Sequence, residues 1–173
     1  PMNIVIRHKV IEGIPLLELA PVDDRRHPLV VMIHGYGNRK DFMLNQAYFL
    51  ARQGFAVVLP DAWGHGERSQ GAVSNFFESV MKTADEIGIL LDYYKGIPYI
   101  EGNQAGLVGY SMGGCIVYEA VCRPACPVKA AAAVIATPDW ASLMSMPATA
   151  QLFLQHGLIA DAGGTYRVAP AAE

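Results

Sequence analysis

The sequence predicts an α/β fold, a three-layer sandwich in which a mostly parallel sheet carries helices on both faces. Three observations lead there. Apolar runs with no polar alternation recur along the chain, at Leu29-Val30-Val31-Met32-Ile33, at 55–59, at 105–108 and at 128–136. Such runs mark strands buried on both faces, as in a parallel sheet. Between them lie stretches of helical periodicity, and strands that alternate with helices imply right-handed crossovers. Glycine-rich loops follow three of the runs. In an open parallel sheet the carboxyl ends of the strands are where function sits, so these loops can converge on one edge.

Each element has its own signal. Residues 3–8 and 16–20 read as strands joined by a turn at Gly13-Ile14-Pro15, and the polar stretch 21–28 reads as a hairpin loop. His8 at a strand end and His27 in that loop read as surface residues. Residues 42–53 read as a helix, with Gly54 as its stop signal. The strongest helix spans 75–95, where Phe76, Val80, Ala84, Ile87, Leu91 and Tyr94 fall on one face at steps of three and four. Asn75 followed by Glu78 resembles a capping box. Residues 128–136 read as an internal strand that needs a neighbour on each side; left without one it is an exposed apolar edge. After Thr137 the pattern changes: 141–157 is weakly helical, and 161–173 is turn-like.

With 173 residues, 52% hydrophobic and 17% charged, the chain is one size-typical unit with a real core rather than a disordered tail. Its formal net charge of −3 gives no reason to expect nucleic acid or an anionic membrane as a partner. The longest apolar run, 130–136, is too short to span a bilayer. Three cysteines, Cys115, Cys122 and Cys126, are an odd number for a disulfide framework and favour a reduced, cytoplasmic setting. They match no zinc spacing, so no metal is expected.

The residues that carry chemistry are at 109–114, Gly-Tyr-Ser-Met-Gly-Gly, directly after an apolar strand. This is the G-x-S-x-G nucleophile elbow with Ser111 at its tip. A strand must turn sharply into a helix there, and side chains at Gly109 or Gly113 would collide across the turn. The plain alternative is a serine that caps an ordinary helix.

Together with His34-Gly35-Tyr36-Gly37 and Pro60-Asp61-Ala62-Trp63-Gly64-His65-Gly66-Glu67, this motif makes the chain resemble the α/β-hydrolase superfamily. It is similar to the small bacterial esterases of the prolyl-oligopeptidase-like, dienelactone-hydrolase-related branch. The resemblance covers roughly residues 3–140 and implies a serine hydrolase of small carboxylic esters without a cofactor. Ser111 is then the nucleophile, and the backbone N–H groups of Tyr36 and Met112 form the oxyanion hole. It also implies that 1–138 is the N-terminal part of the core and 139–173 the start of a cap or insertion. The family's seventh-strand acid and late histidine have no counterpart here, so the expected triad partners lie beyond Glu173 and the chain alone is expected to be inactive.

Other residues carry competing readings. His34 is expected to order its own loop, together with Gly35. His65 is expected to order the 61–67 loop, with a catalytic base as the alternative. Asp61 is expected to bond backbone in that loop rather than serve as a triad acid. His156 with Asp161 or Asp139 is the one improvised base–acid pair the chain offers. Leu143, Met144 and Met146 with Trp140 and Phe153 make either core packing or the wall of a substrate pocket. Two other functions remain open: a non-catalytic binding module, and an acyltransferase or peptidase on the same scaffold. A homo-oligomer is left open as well.

Overall fold

The structure, a computed structural model, describes residues 3–69, 75–147 and 151. A six-stranded sheet runs in the order β1-β2-β4-β3-β5-β6, with β1 Ile4–Ile11, β2 Ile14–Pro21, β3 His27–Ile33, β4 Ala56–Pro60, β5 Ile100–Tyr110 and β6 Val128–Val134. Strands β4, β3, β5 and β6 are parallel, and the β1–β2 hairpin adds to β4 antiparallel. The helices are α1 Leu44–Arg52, α2 Phe76–Lys95, α3 Met112–Val121 and the short α4 Trp140–Ser145.

The uninterrupted apolar runs are explained by two cores. On one face Leu29, Val31, Ile33, Ala56 and Val58 pack with Val80, Ala84, Ile87 and Leu91 of α2 and Ile116 and Val117 of α3. On the other, Val30, Met32, Val57 and Leu59 pack with Ala47 and Ala51 of α1. Alternate residues of β3 and β4 thus serve opposite layers, which demands apolar side chains at every position. The predicted face of α2 is buried throughout. Asn75 caps that helix, accepting from the N–H groups of Phe77 and Glu78 at 3.0 and 3.1 Å.

Several boundaries differ from the sequence reading. The first turn lies at Glu12-Gly13, both at positive φ (49° and 79°), and Pro15 is already in β2, opposite Val10. Helix α1 is preceded by a 3-10 turn over Lys40–Met43. Strand β5 begins five residues before the predicted run; its early part, Glu101-Gly102-Asn103-Gln104, is too polar to read as a strand. His27 is not on the surface. It is buried at the start of β3, where Nδ1 lies 2.8 Å from the Gly54 carbonyl and Nε2 lies 3.0 Å from Asp23.

Strand β6 is not internal among the described residues. It ends the sheet, and Ala130–Ala132 are exposed, while Ala133 is half-buried against the core. Among the described residues, the apolar composition therefore lies on the edge of the sheet rather than between two strands.

One buried polar cluster had no sequence signal. Glu18 of β2 is fully buried and accepts from Arg7 Nη1 at 2.8 Å, Lys9 Nζ at 2.6 Å, Tyr94 Oη at 2.9 Å and Tyr99 Oη at 2.8 Å. Burial pushes its carboxyl pKa up, but the bonds from Lys9, Tyr99, Tyr94 and Arg7 outweigh this and hold it below the ordinary value. These bonds tie the β1–β2 hairpin to the end of α2 and the approach to β5.

Candidate active site

Strands β3, β4 and β5 run parallel, so the loops that leave their carboxyl ends meet on one edge of the sheet. Between β5 and α3 a single residue, Ser111, makes the turn. Its backbone sits at φ 54°, ψ −116°. A non-glycine residue held there costs about 1–3 kcal/mol and persists only where its surroundings enforce it.

The surroundings do so. The Ser111 N–H donates to the Val134 carbonyl at 2.8 Å, and the Ser111 carbonyl accepts from Gly114 at 2.8 Å and Cys115 at 3.2 Å. A Cβ at Gly109 would overlap the Gly113 carbonyl, and one at Gly113 would overlap the Ile33 carbonyl. The strand, the helix and β3 therefore approach each other at glycine distance. The Ser111 side chain does not cap α3. That removes the plain reading of a capping serine and leaves a half-buried hydroxyl at the tip of the turn.

The loop after β3 runs alongside. A Cβ on Gly35 would lie 3.3 Å from the Tyr110 carbonyl and 3.5 Å from Ser111 Cβ, so the chain passes against the serine. His34 holds this loop to its neighbour. Its Nε2 accepts from the Ala62 N–H at 3.1 Å, so the ring proton is on Nδ1, which donates to the Gly35 carbonyl at 2.8 Å. Burial lowers its pKa against the opposing pull of the Gly35 bond, and the ring is neutral. With both nitrogens committed, His34 can orient the loop but cannot take a proton.

The loop after β4 is built on Asp61, which is fully buried. Oδ1 accepts from the Lys40 N–H at 2.7 Å. Oδ2 accepts from Lys40 Nζ at 2.8 Å and from the Glu67 N–H at 3.0 Å. A Cβ at Gly66 would overlap this carboxylate, which fixes glycine there. Lys40 Nζ also donates to Glu67 at 2.5 Å, and Glu67 lies 2.9 Å from His8 Nε2. Burial opposes the charge on Lys40, but its bonds and charge pairing with Asp61 and Glu67 prevail and raise its pKa. Asp61 thus bonds the Glu67 N–H in its own loop and also anchors Lys40, ahead of α1. Sequence reasoning missed Lys40, because a lysine between Arg39 and Asp41 reads as solvent-exposed.

His65 is the remaining imidazole at this edge among the described residues. Its Nδ1 lies 2.8 Å from the Trp63 carbonyl, an acceptor, so Nδ1 carries the proton and Nε2 keeps its lone pair. The ring lies 5.0 Å from the Tyr36 ring, edge to face, and 5.6 Å from His34. From Tyr36 an aromatic row continues through Phe76 at 6.0 Å and Phe77 to Trp140, which is 5.1 Å from Phe77.

Among the described residues, no histidine–carboxylate pair is brought to Ser111. His8 pairs with Glu67, and His27 is at the far end of β3. Asp139 caps α4 through the Ser142 N–H at 2.9 Å, a bond that lowers its pKa. His156, Asp161, and Phe153 of the Met-rich segment lie outside the described residues; of that segment, Met146 is exposed and Trp140 packs on the core. Among the described residues no His/Cys/Asp/Glu cluster could hold a metal ion, and no helix is long and apolar enough to cross a membrane. A cavity of about 720 Å³ opens at the opposite edge between the ends of α2 and α3, and its lining includes neither Ser111 nor any residue of the loops after β3 and β4.

A family model described as serine aminopeptidase, S33, matches residues 24–168. The chain belongs to this α/β-hydrolase family. A protein of Bacillus subtilis (strain 168) named "Putative esterase YitV" is 33% identical over 147 residues, covering 81% of this chain and 57% of the relative. Among solved structures, the α/β hydrolase GrgF from Penicillium has a TM-score of 0.61 at 20% identity, covering 91% of this chain and 53% of that one. A dienelactone hydrolase from Klebsiella pneumoniae, titled as putative, has a TM-score of 0.62 at 14% identity, covering 76% and 59%. These two likenesses show the fold. The chain spans little more than half the length of each of these three proteins.

Proposed function

We propose that the protein is a serine hydrolase of small carboxylic esters that works through an acyl-enzyme on Ser111. The observation that carries the reading is the backbone of Ser111 at φ 54°, with a side chain that leaves the helix uncapped. Strain of this kind persists at functional sites, where it presents one side chain to the reaction centre. The hydroxyl attacks the ester carbonyl. The Met112 N–H, in the first turn of α3, and the Tyr36 N–H, next to Gly35, stabilise the resulting oxyanion. The alcohol leaves, and water then releases the acid.

His34 cannot serve as the base, and the described residues offer no histidine–carboxylate pair at Ser111. We assign the base and its acid to sequence outside the described residues, where His156 and Asp161 are the pair within this chain and a later histidine and acid are the family's arrangement. No metal or organic cofactor enters this chemistry. The esterase named among the relatives supports an ester substrate. The family's description favours a second reading, a peptidase, which shares the acylation step.

Ser111→Ala should abolish turnover of short-chain aryl esters, because loss of the nucleophile leaves only the residual effect of binding and oxyanion stabilisation. Assay of wild type and variant against a matched aryl ester and aryl amide checks both readings. Full activity in the alanine variant would refute the first, and preference for the amide would favour the second.

A further inference from the structure

We propose that His65 is a substrate-recognition residue: its Nε2 accepts a hydrogen bond from the ester itself, so preferred substrates carry a hydroxyl or amide N–H on the acyl or alcohol part. This deepens the esterase reading of the same site and rests on it.

The argument starts from what holds the ring. His65 is 6% exposed, and its Nδ1–H is committed to the Trp63 carbonyl. That bond fixes both the tautomer and the ring plane. Nε2 then presents a lone pair and has no hydrogen-bond partner among the described residues. Nor is it among the fully buried, unpartnered polar atoms. So Nε2 is on the part of the ring that still meets solvent.

A nearly buried imidazole with one edge tied down and the other an open acceptor is a receptor for a donor. Its place gives that donor a role. The ring contacts Tyr36, whose backbone is proposed to hold the oxyanion, and it sits beside His34, whose neighbour Gly35 touches the serine. From the Tyr36 ring that it contacts, an aromatic row runs on through Phe76 and Phe77 to Trp140 and extends apolar surface away from His65. One acceptor in an otherwise apolar wall is how such pockets set orientation and specificity.

A general-base role fits this geometry less well. The group on Nδ1 is a neutral carbonyl, which orients the ring but does not stabilise an imidazolium as a carboxylate does.

The test compares kcat/KM for the p-nitrophenyl esters of butyric, 2-hydroxybutyric and 3-hydroxybutyric acid in wild type, His65→Phe and His65→Gln. Wild type should favour at least one hydroxylated ester over butyrate by about tenfold or more, since a site built to bond a hydroxyl discriminates against the analogue lacking it. In His65→Phe that ratio should fall to near one, whatever the absolute rates. In His65→Gln, whose amide oxygen can reach the position of Nε2, part of the ratio should return. A purely structural role would lower all three rates together and keep the ratio. An unchanged ratio in His65→Phe, or no preference in wild type, overturns the inference and leaves the esterase reading standing. Protein that carries its complete complement of triad residues and hydrolyses none of the three esters overturns the esterase reading, and the inference with it.

Discussion

At the scale of single residues, the site is a set of side chains whose contacts fix its loops. Asp61 shows this most clearly. It bonds the N–H groups of Lys40 and Glu67 and the Lys40 ammonium, and so joins the loop after β4 to the segment ahead of α1. Removing one partner of a buried ion pair leaves the other charge desolvated, at about 3–5 kcal/mol. Asp61→Ala should therefore lower the unfolding free energy obtained from chemical denaturation by an amount of that order, and an unchanged value would show that the network contributes nothing. Much of this scale was legible in advance. Gly109, Gly113 and Ser111 announced a tight strand–helix turn because its geometry tolerates few other residues. The buried positions of Lys40, Glu18 and His27 were not legible. Their burial depends on partners between 4 and 81 residues away in sequence, which no local pattern reveals.

At the scale of elements, composition and period were enough where one element faces one environment. Helix α2 was readable because one stripe is apolar and Asn75 marks its start. Its cap predicts its own test: Asn75→Ala should cost about 1 kcal/mol and lower Tm by about 2–4 °C, measured by calorimetry. A variant that melts with wild type would mean that the two bonds to Asn75 are replaced by water. Strand ends were harder to read. In strand β5, Glu101 to Gln104 fall between the pairs His27–Ile100 and Leu29–Ala105, where the register with β3 shifts, and Pro15 sits in β2 because the tight turn needs only Glu12 and Gly13. Strand β6 has the composition of an internal strand and the position of an edge strand among the described residues.

At the scale of the whole molecule, the Glu18 cluster ties the β1–β2 hairpin at one margin of the sheet to the end of α2 and the approach to β5. Its lowered folded-state pKa sets a direction for acid stability. The contribution is fully present above the unfolded carboxylate value, about 4.3, and is lost as pH falls through the folded value. His34 acts earlier. Its folded pKa lies below that of a free imidazole, so its contribution begins to fall away as pH drops below about 6.5. Wild type should thus weaken in two stages on acidification. Glu18→Gln, less stable at neutral pH, should lack the second stage and lose less between about pH 5 and pH 3, followed by urea midpoints. A parallel decline in both proteins would show that other carboxylates govern acid unfolding.

The central claim is that a strained Ser111 is a nucleophile. The most direct measurement is reaction of the wild-type protein with a fluorophosphonate, followed by peptide mapping of the adduct by mass spectrometry. The account predicts one phosphonyl adduct, on Ser111, lost on denaturation before labelling and absent from Ser111→Ala. An adduct on another residue, or none in the protein with its complete complement of triad residues, would contradict it.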